Sequence, residues 1–153
     1  MTPRLVRVLL FSTAFLAYIA DRFAKLLAIK TMYPGQSTGL VPGIFHITLV
    51  LNKGAAFGIL KDQAVLFIPL SAFIVTLIIL YAWNGKILSA SIAVSLGLIL
   101  GGALGNLVDR ASYGYVIDYF DFRIWPVFNI ADSAITVGTA MLALNLVVKK
   151  PTG

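Results

Sequence analysis

No charged side chain occurs between Ala64 and Trp83, and this stretch is one of four apolar runs that take up most of the chain. The other three cover about residues 8–29, 87–107 and 129–148. An α-helix needs roughly 20 apolar residues to cross the ~30 Å hydrocarbon core of a bilayer. With no water there to pair with the backbone, such runs are constrained to helices. Hydrophobic residues make up 59% of the chain and charged residues 12%, about half the charged share of an ordinary soluble domain. These features predict an all-α membrane protein with four transmembrane helices, forming a single integral membrane domain over residues 1–153.

Between the runs the chain changes character. Arg4 and Arg7 precede the first run in the manner of a signal peptide, but the run is too long and no small-residue cleavage site closes it, so it reads as an uncleaved span. Turn signals at YPGQSTG and VPG flank Ile44–Asn52, which is rich in β-branched and aromatic residues. A strand or hairpin is expected there, giving a small extracytoplasmic β-sheet element. Asn84-Gly85-Lys86 reads as a tight turn. Gly97, Gly101 and Gly105 recur every fourth residue, a smooth seam for close helix packing. Asp109 to Phe128 reads as a loop whose rings, among them Tyr113, Tyr119 and Trp125, suit the membrane interface. Four spans put both termini on one side, and the long acidic segments lie on the other. The termini are placed in the cytoplasm and the acids on the outer face.

The composition also excludes chemistry. Cysteine and glutamate are absent and His46 is the one histidine, which leaves no ligand set for a zinc site and no thiol nucleophile. No cofactor or metal is implied. The net charge of +6 fits loop cations meeting anionic lipid rather than nucleic acid. A Ser-His-Asp set has only His46 to draw on, which reads as a surface or packed residue.

Aspartates remain. Asp21 and Lys25 are four apart in the first span and can pair on one helix face, a structural ion pair. Four of the six acids, Asp109, Asp118, Asp121 and Asp132, fall between Gly101 and Ser133. Arg110 follows Asp109 directly and favours its ionised form. Asp118 stands among apolar neighbours in YVIDYF, where burial and a second carboxylate raise a pKa. Asp132 stands in the first turn of the fourth run, where the helix dipole and burial oppose each other. Asp118 and Asp132 are therefore the pair best suited to share one proton, the arrangement of an aspartic peptidase. Two other readings compete on composition alone: a small proton-coupled transporter, and a non-enzymatic membrane scaffold whose acids cap helices.

Several motifs, taken together, resemble the lipoprotein signal peptidases (signal peptidase II), which are bacterial membrane aspartic peptidases. They are Asp21 with Lys25, Asn52-Lys53-Gly54-Ala55-Ala56-Phe57, the stretch GGALGNLVDR from Gly101 to Arg110, Val116-Ile117-Asp118, and Phe128-Asn129-Ile130-Ala131-Asp132. The resemblance covers nearly the whole chain. It implies a catalytic dyad of Asp118 and Asp132, with Asn52, Gly54, Asn106, Asp109, Arg110, Asn129 and Ala131 lining or bracing the site. It also implies cleavage of prolipoproteins before a cysteine carrying diacylglycerol, at the outer face of the bacterial inner membrane, by a monomer in contact with membrane lipids. Two departures stand out: Arg22 follows Asp21 where the family usually has Gln, and the linker between the two aspartates is short.

Overall fold

The computed structural model describes residues 2–54, 64–84 and 89–148. Ala55, Ala56 and Phe57 of the second motif and the turn residues Gly85 and Lys86 lie outside the described residues.

The elements in order are α1 (Pro3–Thr31), β1 (Ser37–Val41), β2 (Phe45–Asn52), α2 (Ala64–Trp83), α3 (Ala90–Tyr113), β3 (Val116–Asp121) and α4 (Ile130–Val148). Helices α1, α3 and α4 are long and apolar enough to cross a membrane, and α2 adds a fourth apolar helix. Their ends follow local chemistry. The Thr2 hydroxyl accepts the Leu5 N–H at the start of α1, and the Ser89 hydroxyl accepts the Ile92 N–H at the start of α3. Gly114, at φ 74°, closes α3 in the left-handed conformation.

Helix α3 is the centre of the bundle and packs against α1, α2 and α4. Leu10 and Ala14 of α1, Val75 and Ile78 of α2, and Ala93, Leu96 and Leu100 of α3 share one buried cluster. The glycine seam of α3 faces α1: a Cβ on Gly97 would lie 2.6 Å from the Leu10 carbonyl oxygen, and one on Gly101 would overlap the Ala14 carbonyl. Gly102 is turned the other way, against the Ala131 carbonyl of α4. Both neighbouring backbones therefore approach α3 at glycine. Outward-facing Phe15, Leu16, Phe23, Phe73 and Leu80 are exposed, as expected of side chains whose solvent is lipid.

The sheet has the order β1-β2-β3 and is antiparallel throughout. Ser37 stands opposite Thr48, and Val50 stands opposite Asp118. A second apolar cluster, Ala28 with Leu49, Ile117 and Tyr119, fastens the sheet to the end of α1.

The segment from Asp109 to Phe128 differs from the loop predicted for it. Its first part continues α3 through Asp109 and Arg110 to Tyr113, and its centre is strand β3. The reason is burial. Val116, Ile117, Asp118 and Tyr119 are all buried, so the strand lacks the in-out alternation by which a half-exposed strand is recognised. Helix α3 likewise outruns its apolar run, and Asp109, the first charge past the run, is paired inside the fold with Arg22 and Lys25.

Candidate active site

Four elements converge where the membrane helices meet the sheet. Asn52 ends β2, Asn106, Asp109 and Arg110 lie in the last turns of α3, Asp118 is central in β3, and Asn129 and Asp132 open α4. Asp118 and Asp132 line one cavity of about 260 Å³, together with Asn52, Gly54, Arg110 and Thr136. Asp118 is 1% exposed.

Neutral amides hold both carboxylates. Asp118 accepts from the Asn129 side chain at 2.6 Å on Oδ1 and from the Asn52 side chain at 2.9 Å on Oδ2. Asp132 accepts from the Asn106 side chain at 2.8 Å on Oδ1 and from the Asn129 backbone N–H at 3.3 Å on Oδ2. Each carboxylate oxygen thus has one amide donor, which fixes the rotamer and leaves capacity for a further partner. Burial, and next the Asp132 charge, push Asp118 up to about 7, against the hydrogen bonds from Asn52 and Asn129. The dominant cause is the lost hydration of the ionised form.

Two of the nearby cations, Lys25 and Arg22, are paired with other carboxylates. Lys25 is fully buried, and its ammonium reaches Asp21 Oδ2 at 2.8 Å, Asp109 Oδ2 at 2.8 Å and Asn106 Oδ1 at 2.9 Å. The ammonium donates a hydrogen bond to Asn106 and forms ion pairs with Asp21 and Asp109, so its buried charge is compensated, while Asp21 Oδ2 has no hydrogen-bond partner among the described residues. The Arg22 guanidinium pairs with Asp109 Oδ1. Sequence adjacency suggested Arg110 as the cation beside Asp109, but the ion pairs of Asp109 are with Arg22 and Lys25. A helix sends consecutive side chains to different faces: Asp109 points toward α1, whereas Arg110 lies over the Phe67 ring, 5.1 Å from its centroid, and lines the cavity. The Arg110 Nε has no hydrogen-bond partner among the described residues.

Asp21 reaches further than its pair with Lys25. Its Oδ1 accepts the Ala131 N–H at 3.0 Å. The Ile130 N–H donates to the Tyr119 hydroxyl and the Asp132 N–H donates to Asn129 Oδ1 at 2.8 Å. The free N–H groups that open any helix therefore find partners from α1, β3 and the helix's own cap, which fixes the direction in which α4 presents Asp132. Gly54 donates its N–H to Asn52 Oδ1 at 3.0 Å, orienting the amide that holds Asp118.

Asp121 stands apart from this cavity's lining. Burial opposes its ionisation, but donors from Thr48 and Arg123 outweigh that and hold it below the usual carboxylate range. Its salt bridge to Arg123, at φ 65°, fixes the turn after β3. His46 accompanies Ser37 at 3.1 Å on the sheet. Among the described residues no group of three or more His or Asp side chains is placed to hold a metal ion.

Sequence reasoning missed Tyr119 as a partner of the α4 terminus, and Ile135 and Thr136 as cavity lining. A helical repeat from Asp132 marks Thr136 as lying on the same face.

A family model described as Signal peptidase (SPase) II matches residues 13–148. The lipoprotein signal peptidase of Halothermothrix orenii is 42% identical over 138 residues, which is 90% of this chain and 94% of that protein. That of Desulfitobacterium hafniense strain DCB-2 is 45% identical over 145 residues, 93% of this chain and 95% of its own. A solved bacterial membrane enzyme superposes with a TM-score of 0.83 at 30% identity, covering 94% of this chain and 93% of the other. With a match of this extent over the residues that build the cavity, the chain belongs to the signal peptidase II family.

Proposed function

We propose that this protein is an aspartic endopeptidase of the bacterial inner membrane that removes signal peptides from prolipoproteins. Asp118 and Asp132 are the catalytic pair. The observation that carries the assignment is the division of partners: Asp118 and Asp132 are held by neutral amides in an open cavity, while Asp21 and Asp109 are closed off by buried cations. Only the first pair is free to exchange a proton.

The chemistry follows from one proton shared by two carboxyls. The ionised carboxylate takes a proton from water as the water oxygen attacks the scissile carbonyl carbon. The protonated carboxyl donates to the carbonyl oxygen. As the tetrahedral intermediate collapses, the C–N bond breaks and a proton passes to the leaving amine nitrogen, that of the lipid-bearing cysteine. Arg110 lines the same cavity as the dyad, where a guanidinium is suited to the carbonyl oxygens of a substrate backbone. The whole chain acts as one membrane domain and as a monomer. The termini are cytoplasmic and the cavity opens at the outer face, where membrane lipid and the substrate's diacylglyceryl group hold the bond beside the dyad before chemistry starts.

The test is cleavage of a diacylglyceryl-modified prolipoprotein by purified protein. Asp118→Asn and Asp132→Asn each abolish cleavage without loss of folding, and a substrate lacking the lipid is cleaved poorly. Full activity in either variant refutes the dyad.

A further inference from the structure

The first span carries one charge whose role the pairing of Asp21 with Lys25 leaves unexplained. Arg22 lies on α1, its side chain 13% exposed, and it pairs with a carboxylate on α3 that is fully buried. We propose that Arg22 is a positioning residue for the peptidase reaction: by occupying Asp109 Oδ1, it keeps Lys25 centred on Asn106 and keeps Asp109 on the β3 backbone, and so holds both members of the dyad. The proposal rests on the assignment of Asp118 and Asp132 as the catalytic pair.

The geometry has two arms. In the first, Asp109 Oδ2 accepts the Ile117 N–H at 3.2 Å. Ile117 directly precedes Asp118, and its carbonyl accepts the Asn129 side chain at 3.3 Å. Asp109 thus pins the strand beside one catalytic residue. In the second, Lys25 donates to Asn106 Oδ1 at 2.9 Å, and the Asn106 amide then donates to Asp132 at 2.8 Å. Lys25 is already shared, with an ion pair to each of Asp21 and Asp109 besides its hydrogen bond to Asn106. Without Arg22, Asp109 would have only the Lys25 charge, which it shares with Asp21, and its Oδ1 would lose the donor it has among the described residues. A buried carboxylate compensated in part recruits the nearest donor or a proton. The nearest donor is Lys25, and drawing it over would loosen Asn106 from its place on Asp132.

The charges give a second, independent consequence. Among the described residues, the groups facing this region are Asp21, Arg22 and Lys25 of α1, with Tyr18 nearby; Asp109 and Arg110 of α3; Asp118 and Tyr119 of β3; and Asp132 of α4. Arg22, Lys25 and Arg110 balance Asp21, Asp109 and a dyad that keeps one proton. Arg22 therefore makes the singly protonated dyad the electroneutral state of the site.

The experiment is the pH profile of kcat/KM for the full chain in detergent, with a synthetic peptide bearing a diacylglyceryl cysteine as substrate. Arg22→Gln keeps a hydrogen-bond donor and removes the charge; Arg22→Lys keeps the charge. The acid limb of the profile moves to higher pH by about one unit in Arg22→Gln and stays in place in Arg22→Lys. Loss of a cation favours protonated carboxyls, hence the direction. A uniform fall in activity with the limb unmoved, or an unchanged profile, overturns the proposal and leaves Arg22 a packing residue. Should Arg22→Gln fail to fold, Arg22→Lys decides: a limb at the wild-type position supports the proposal, and a displaced limb overturns it. Asp118→Asn is assayed alongside. Activity there overturns the dyad itself, whereas an unmoved limb against an inactive Asp118→Asn overturns Arg22 alone.

Discussion

Asn129 and Asp132 cap one another. The Asp132 N–H donates to Asn129 Oδ1 at 2.8 Å, and the Asn129 N–H donates to Asp132 Oδ2 at 3.3 Å. This is the reciprocal arrangement of a capping box, with a three-residue spacing. In most helices such a box only closes the N-terminus. Here one of its members is also a catalytic candidate, and the other donates from its side-chain amide to Asp118 at 2.6 Å. Stability of α4 and alignment of the dyad share the same two side chains.

Asn129→Ala should therefore lose in both respects. Removal of an N-cap costs about 1 kcal/mol, visible as a lower melting temperature in detergent. Activity should fall by about 100-fold, the scale of a misplaced catalytic group. Comparison with Asn52→Ala separates the two effects. Asn52 also holds Asp118 but caps no helix, so its loss should lower activity and spare stability. Equal destabilisation by both variants would contradict the double role.

The protonation of Asp118 predicts the alkaline behaviour. With a pKa raised from the ordinary value to about 7, Asp118 holds its proton below that pH and releases it above. The dyad then carries two negative charges and has no proton for the carbonyl oxygen. Cleavage should decline above about pH 7, read as kcat/KM against pH. The same shift acts on folding with a fixed sign. A carboxyl whose pKa is raised in the fold binds more protons folded than unfolded between about pH 4 and 7. Its contribution is present at the acid end and lost as pH rises through the folded value. Thermal stability should fall across that window in the wild type and fall less in Asp118→Asn. A flat activity profile to pH 9 would remove Asp118 from the proton-sharing role.

The buried ion pairs make a graded prediction. Lys25→Met strips Asp21 and Asp109 of a shared cation. Breaking a buried pair by deleting one partner costs about 3 kcal/mol or more, so this variant should be the least stable of the set. Asp109→Asn keeps an oxygen for the Ile117 N–H and should weaken activity less than either dyad substitution. Asp21→Ala removes both a partner of Lys25 and the acceptor for the Ala131 N–H, so its main effect should be on melting temperature. Thermal denaturation and cleavage, measured on the same preparations, rank the three. An Asp109→Asn as inactive as Asp118→Asn would place Asp109 in the chemistry.

The sequence carried the helical architecture because span length and hydropathy are local properties. Helix α3 kept its apolar record up to Leu107, and α2 had no charge at all. Strand β3 was hidden because its residues are buried on both faces. The partners of Asp109 were hidden for another reason: Arg22 and Asp109 are 87 positions apart, and no local pattern predicts which helix faces meet. The choice of Asp118 and Asp132 over Asp109 as the proposed pair rests on neighbours in the chain, which is why the sequence could suggest it. The amides that complete the site were identified only as bracing residues, since which carboxylate each one holds depends on the sheet register.

Glycine at position 105 ties packing to the ion-pair network. A Cβ there would overlap Asp21 Oδ2, the oxygen that faces Lys25, whereas a Cβ on Gly101 would overlap only the backbone and side-chain atoms of Ala14 and Ala17. Both Gly105→Ala and Gly101→Ala force α1 away from α3, and overpacking of this kind costs about 1–3 kcal/mol. The consequences beyond stability should differ. Gly101→Ala separates apolar helix faces and leaves the charged cluster one turn away intact. Gly105→Ala pushes Asp21 off Lys25 and pulls on the Ala131 N–H that sets the start of α4. At matched temperature below both melting points, Gly105→Ala should lose about tenfold more cleavage activity than Gly101→Ala. The check is kcat/KM on folded protein, quantified after size-exclusion chromatography. Equal activity in the two variants would mean that Asp21 contributes to the fold and not to the placement of Asp132.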